Sequence, residues 1–175
     1  MRRPRQADTA EELHAAAVRA LMRRAHSVHE MKKTLERRCQ DESLVRAELD
    51  RLKQQNLLDD ARYAREFARN RTAIRRQGRF RIAQELRRRG VPDRHIEVAL
   101  EEVSKTQDES ALVRQRLERK LRNIRGPLDE RRIASLYRSL LRAGFSPDQV
   151  RTAINTVARG PRFDPEAELA SDTDS

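Results

Sequence analysis

Large apolar residues recur along this chain at helical spacing, and the same pattern returns three times. The stretches from Leu35, Leu86 and Leu140 superpose without gaps. They align Leu35, Leu86 and Leu140; Val45, Ile96 and Val150; Leu49, Leu100 and Ile154; and Leu52, Val103 and Val157. Gly90 and Gly144 coincide at the turn, with Cys39 in the corresponding slot of the first copy. Copies spaced by 51 and then 54 residues indicate a modular array that offers a long surface and no single deep pocket.

Local signals divide each copy into helices. Thr9 with Glu12, and Ser27 with Glu30, match the capping box, in which hydroxyl and carboxyl satisfy orphan amides reciprocally. Ser146, Pro147 and Gln149 supply a cap, a first-turn proline and a partner three residues on. Asp41, Asp59 or Asp60, and Asp108 suit three further caps, and Gly90 and Gly144 fall where a helix stops with a left-handed residue. The spacing predicts helices over 10–25, 28–38 and 42–54; 60–76, 79–89 and 93–105; and 109–124, 129–142 and 147–158. Alternating polarity and β-branched runs are absent, so the expected fold is all-α: three tandem three-helix modules over 9–56, 57–106 and 107–159. A basic segment, 1–8, and an acidic tail, 160–175, are expected to be disordered. In each module the last two helices form a hairpin, as with Leu86 facing Ile96, Leu100 and Val103. The leading helix closes it with Leu13, Ala17 and Leu21; Tyr63, Phe67 and Ile74; or Val113, Leu117, Leu121 and Ile124.

Composition thins the core and adds charge. Leu, Ile, Val and Phe together number 37 of 175, so several small cores fit better than one thick one. The net charge is +11, with 39 Lys+Arg (34 of them Arg) against 28 Asp+Glu. Residues 162–175 hold one Arg and five acids, leaving +15 on the first 161. Such a body attracts nucleic acid or an acidic protein surface. Arginine favours bidentate contacts to phosphate or carboxylate, although genomic base composition also raises the Arg/Lys ratio. Cys39 is the only cysteine, which excludes an internal disulfide and fits a reducing compartment. It reads as a small turn residue, with a redox sensor as the alternative. No apolar run reaches membrane-spanning length and the start lacks a signal-peptide core, so a cytoplasmic protein without membrane contact is expected.

Catalytic chemistry finds little support. His26 and His29 flank a helix cap without a cysteine or acid at ligand spacing, and Asp59 and Asp60, adjacent on a helix start, point apart. The five glycines are scattered and form no phosphate loop. No catalytic residue, metal or cofactor is expected.

The basic residues are distributed unevenly. They collect on the middle helix of each module: Lys32, Lys33, Arg37 and Arg38; Arg79, Arg81, Arg87, Arg88 and Arg89; Arg131, Arg132, Arg138 and Arg142. Arg71, Arg75 and Arg76 precede Gly78. A solvated helix face accounts for part of this, and a continuous strip that binds an anionic partner accounts for the repetition in register. The stretch 86–103 also resembles a DNA-reading helix-turn-helix, but its second helix carries Glu97, Glu101 and Glu102, which phosphates repel.

The segments 25–38, 52–71, 78–91, 96–103 and 136–154 together resemble the RecX family, bacterial regulators of the RecA recombinase. The resemblance spans about 15–158 and is carried by Leu58-Asp59-Asp60 with Tyr63-Ala64, then Gly78, Ile82, Glu85-Leu86 and Gly90, and Gly144-Phe145 in the last copy. Asn56 and Cys39 stand where the family often has glycine. The resemblance implies an elongated, curved body that acts without catalysis. It implies a protein, expected to be monomeric, that binds RecA and RecA–DNA filaments and inhibits recombinase and coprotease activities in DNA repair and the SOS response. Single-stranded DNA is a further partner in some members. The alternative is a basic helical protein that binds single- or double-stranded DNA without RecA.

Overall fold

A computed structural model describes residues 7, 9–124, 126 and 128–158. Among them the chain forms nine α-helices and no strand. They are α1 (Ala10–Arg23), α2 (Val28–Glu36), α3 (Glu42–Gln54), α4 (Asp60–Ala73), α5 (Arg79–Arg88), α6 (Asp93–Thr106), α7 (Glu109–Leu121), α8 (Glu130–Arg142) and α9 (Pro147–Ala158). The all-α expectation holds. The acidic tail 160–175 and all of segment 1–8 except Ala7 lie outside the described residues. Ala7, in the segment expected to be disordered, is buried, and its N–H donates to the Arg38 carbonyl at 2.8 Å.

The caps act as their chemistry predicts. Ser27 and Glu30 form the complete reciprocal box at the start of α2. Thr9 accepts from the Glu12 N–H, Asp41 from Ser43 and Leu44, Asp59 from Ala61 and Arg62, Asp108 from Ser110, and Ser146 from Gln149. Asp129 caps α8 by accepting from the Arg132 N–H, so that helix starts one residue later than expected. Several C-termini fall short of the predicted ends. The chain leaves α1 because Arg24 is extended, and the Arg24 and Ala25 carbonyls accept from the His26 ring and the Arg24 guanidinium. Past α4, Arg76 takes φ +46°, the left-handed region that breaks a helix.

The chain resolves into two compact units. The first comprises the described residues up to Ala68 together with Gln84–Glu101, and the second comprises Arg69–Ala83 together with the described residues from Glu102 onward. The first has a core of Leu13, Ala17, Met31, Leu35, Val45, Leu49, Leu52 and Leu58. The second buries Val113, Leu117, Leu121, Leu136, Leu140, Phe145, Val150 and Ile154.

One packing device occurs in each unit. In the first, the start of α2 sits on the turn after α5. The Ser27 hydroxyl donates to the Arg89 carbonyl at 2.5 Å, and a Cβ on Gly90 would stand 2.4 Å from the His29 side chain. In the second, the start of α5 sits on the turn after α8. Gly78 N–H donates to the Ala143 carbonyl at 2.9 Å and Phe80 N–H to that of Gly144 at 3.1 Å. Gly90 and Gly144 are both left-handed, at φ +70° and +92°. Each turn closes with the amide three residues beyond the helix returning to the same carbonyl position, Val91 to Leu86 and Phe145 to Leu140. Cys39 has no positive φ and its copy turns differently; its thiol is buried and free.

Candidate anion-binding clefts

The first unit uses several of its polar groups to hold itself together. Glu30, half-buried near the start of α2, accepts from the Ser27 N–H, the Arg24 guanidinium at 2.9 Å and the Tyr63 hydroxyl at 3.3 Å. Burial pushes its carboxyl up, but the Arg24 hydrogen bond, the Ser27 amide and the charges of Arg24 and Arg89 outweigh it and leave the group below its ordinary range. Asp60, next to the cap Asp59, reaches the Val28 N–H at 2.9 Å, and burial raises its pKa. Asp59 titrates lower than usual because it accepts the Arg62 N–H. The adjacent carboxylates therefore serve two different helix starts, as backbone acceptors.

The expected binding residues of this unit differ in how free they are. Lys32, Lys33, Arg37, Arg87 and Arg88 are exposed. Lys32 lies 3.6 Å from Glu36, Arg87 is 2.7 Å from Asp93, and Arg37 bonds back to the Lys33 carbonyl. Arg89 is half-buried: it lies 4.6 Å over the Phe67 ring, donates to the Glu85 carbonyl, and stands 3.9 Å from the Glu30 and Glu85 carboxylates. Its guanidinium is part of the fold. Leu58, Tyr63 and Leu86 of the family motif are buried beside this network.

The second unit gathers arginines into open clefts. One, of ≈ 580 Å³, is lined by Ile74, Arg75, Gln77, Arg81, Arg116, Arg119, Ser139, Arg142 and Ala143. A second, of ≈ 550 Å³, shares Ser139 and Arg142 with it and adds Lys120, Asn123, Arg132 and Ser135. No carboxylate appears among the described residues that line either one. The walls come from the segment after α4, the start of α5, α7 and α8, joined by the Gly78–Gly144 contact. Arg81 donates to the Arg142 carbonyl at 3.0 Å. Arg116 donates through Nη1 to the Arg75 and Arg76 carbonyls at 3.0 and 3.2 Å, while its Nε is buried without a hydrogen-bond partner. Burial, then the charges of Arg119 and Arg81, push the Arg116 pKa down.

Of the residues expected on the strip, Arg75, Arg81, Arg132 and Arg142 meet at these clefts. Arg79, Arg131 and Arg138 are exposed on the same unit but outside the linings, as is the half-buried Arg76. The Arg79 N–H is taken by Glu109 at 3.2 Å. Arg116, Arg119 and Lys120 were not anticipated, although their i, i+3, i+4 spacing puts them on one face of α7. Ile74 was expected in the core; it is 75% exposed and lies at the cleft rim.

Among the described residues no group of three or more His, Cys, Asp or Glu side chains could hold a metal ion, and no helix is long and apolar enough to cross a membrane. Fold and surface together define an all-helical repeat protein with arginine-lined open clefts. Residues 59–100 match the family model for the RecX second three-helix domain, and residues 107–154 that for the RecX third three-helix domain. The regulatory protein RecX of Halorhodospira halophila is 40% identical over 144 residues, covering 82% of this chain and 86% of that one. The regulatory protein RecX of Prosthecochloris aestuarii is 32% identical over 134 residues, covering 77% and 85%. The crystal structure of RecX from Lactobacillus salivarius shares the fold, with a TM-score of 0.71 at 21% identity over 85% of this chain and 96% of that one. The chain belongs to the RecX family of regulatory proteins.

Proposed function

We propose that this protein binds RecA and RecA–DNA filaments as a monomer in the cytoplasm and restrains recombinase and coprotease activity without catalysing a reaction. The observation that carries this reading is the gathering of Arg75, Arg81, Arg132 and Arg142 at carboxylate-free clefts in a chain of the RecX family. Lys32, Lys33, Arg37, Arg87 and Arg88 on the first unit, and Arg76, Arg79, Arg131 and Arg138 on the second, extend the basic contact surface. Arg89 contributes by holding its turn in place. Weak contacts spread over linked units raise affinity through effective concentration. Arginine suits both anions that a nucleoprotein filament presents, carboxylate and phosphate.

The test is RecA ATP hydrolysis and strand exchange on single-stranded DNA with the protein added at stoichiometric amounts. Suppression of both supports the reading. Unchanged rates overturn it and leave the RecA-independent DNA binder as the surviving account.

A further inference from the structure

The two units share positive charge unequally. Residues 1–68 with 84–101 carry 19 Lys+Arg against 16 Asp+Glu, a net of +3. Residues 69–83 with 102–158 carry 18 against 7, a net of +11. The clefts of this second unit collect the exposed Arg75, Arg119 and Arg142 and the partly exposed Lys120. The same unit continues into the acidic segment 160–175, outside the described residues.

Two features fit that segment to the clefts. Its acids are Asp164, Glu166, Glu168, Asp172 and Asp174, all at even positions, and every odd position from 163 to 175 is neutral. An extended chain turns alternate side chains to one side, so in that conformation all five carboxylates share one edge. A helix would spread them around its axis. The second feature is where the segment begins. The short turn between α8 and α9 makes the two helices antiparallel, which returns the end of α9 to the start of α8. Val157, near that end, packs on the same core as Ile124, and Ile124 lines the second cleft. At roughly 3.3–3.6 Å per extended residue, Asp164 comes within about 20 Å of the end of α9.

We propose that residues 162–175 lie along the clefts of their own unit, carboxylates toward Arg119, Lys120 and Arg142, and withhold those side chains from an anionic partner. A guanidinium takes a carboxylate through two parallel N–H bonds, so an edge of carboxylates suits an arginine-lined groove. Arg142 and Ser139 belong to both clefts, which lets one extended occupant run from one into the other. Occupancy also relieves the self-repulsion of a unit with a net charge of +11. The inference rests on the reading of the clefts as filament-contacting surface and adds their regulation: a filament must displace the tethered segment before it gains the arginines. Occupancy itself is tested without RecA, so the two stand or fall separately.

The experiment is zero-length carbodiimide cross-linking of dilute full-length protein, read by peptide mass spectrometry. The chain has five lysines, Lys32, Lys33, Lys53, Lys105 and Lys120, and Lys120 lines the second cleft. The Lys53–Asp50 pair, 3.0 Å apart, reports that the reaction has proceeded. Tail carboxylates are expected on Lys120 within one chain. The cross-link should fade in R119A/R142A and persist in R46A/R51A, two exposed arginines of α3 outside the clefts. Circular dichroism should be superimposable for all variants. The proposal is overturned if Lys53 joins Asp50 while the tail stays unattached, spreads evenly over the lysines of both units, or attaches only between chains.

Co-sedimentation with RecA filaments reads the consequence. The variant D164N/E166Q/E168Q/D172N/D174N should bind roughly tenfold tighter, the factor for a tethered segment at an effective concentration on the order of 1 mM and an affinity of ~0.1 mM. In the R119A/R142A background that gain should shrink below about twofold, since the two changes remove the same contact. A gain that stays undiminished there reflects net charge alone and overturns the proposal. Cross-links to Lys120 in a protein that ignores filaments leave occupancy standing and remove the filament reading instead.

Discussion

Gly78 lies so close to Gly144 that a Cβ on Gly78 would stand 2.2 Å from the Gly144 carbonyl oxygen. The contact is backbone against backbone, clamped by the Gly78 N–H on the Ala143 carbonyl, and no rotamer change relieves it. Gly144 is also left-handed, at φ +92°, with Arg81 Cβ 2.4 Å from where its own Cβ would be. Gly78→Ala is therefore expected to cost about 1–3 kcal/mol as overpacking. Gly144→Ala carries an additional left-handed penalty of about 1–2 kcal/mol. Urea unfolding of both variants checks the order, with Gly144→Ala the less stable. Because the same contact joins the cleft walls, Gly78→Ala should also weaken filament binding.

Core truncation should be as damaging in one unit as in the other. Leu35 and Leu140 are repeat equivalents, both fully buried in small cores. Each Leu→Ala change is expected to cost about 2–5 kcal/mol, read from denaturant midpoints.

Acid should destabilise the protein in two stages. His26 is buried, its Nδ1 2.9 Å from the Arg24 carbonyl, and burial depresses its pKa below the ordinary 6.5 even though that hydrogen bond and Glu30 oppose the shift. A depressed histidine contributes stability that is complete above the unfolded value and lost as pH falls from 6.5 toward the folded one. Glu30 follows the same sign below its ordinary 4.5, where protonation breaks its contact with Arg24. Unfolding free energy measured from pH 8 to pH 3 should fall first below about 6.5 and again below about 4.5. His26→Gln should remove the first step and Glu30→Gln should shrink the second.

Helix positions were legible in the sequence because their determinants are local. Ser27 with Glu30, Asp41, Asp59 and Ser146 cap the helices they were expected to cap. The three-fold register of apolar residues likewise placed Leu35, Leu86 and Leu140 in the interior. The clefts were legible only in part. Arg75 and Arg81 meet Arg116, Arg119 and Arg142 because the Gly78 turn docks on the Gly144 turn, a contact across 66 residues that no helical period encodes. Ile74 continued the apolar stripe from Phe67, but α4 ends at Ala73 and the chain swings it outward. Arg89 read as one of three equal charges, yet its neighbours Phe67, Glu85 and Glu30 come from three different helices.

That difference among neighbouring arginines is itself testable. Arg87→Glu with Arg88→Glu should weaken filament binding while leaving the thermal midpoint within a few degrees. Arg89→Glu should lower the midpoint, because it sets a new carboxylate beside Glu30 and Glu85 and removes the cation from Phe67. Thermal melts followed by circular dichroism, with filament pull-down of the same samples, separate the two effects.

The most direct measurement is co-sedimentation with RecA filaments assembled on single-stranded DNA in ATP. The account predicts that the protein pellets with the filaments in saturable, near-stoichiometric amounts and is released as salt rises. A protein that stays in the supernatant at low salt, while remaining helical and monomeric, would contradict it.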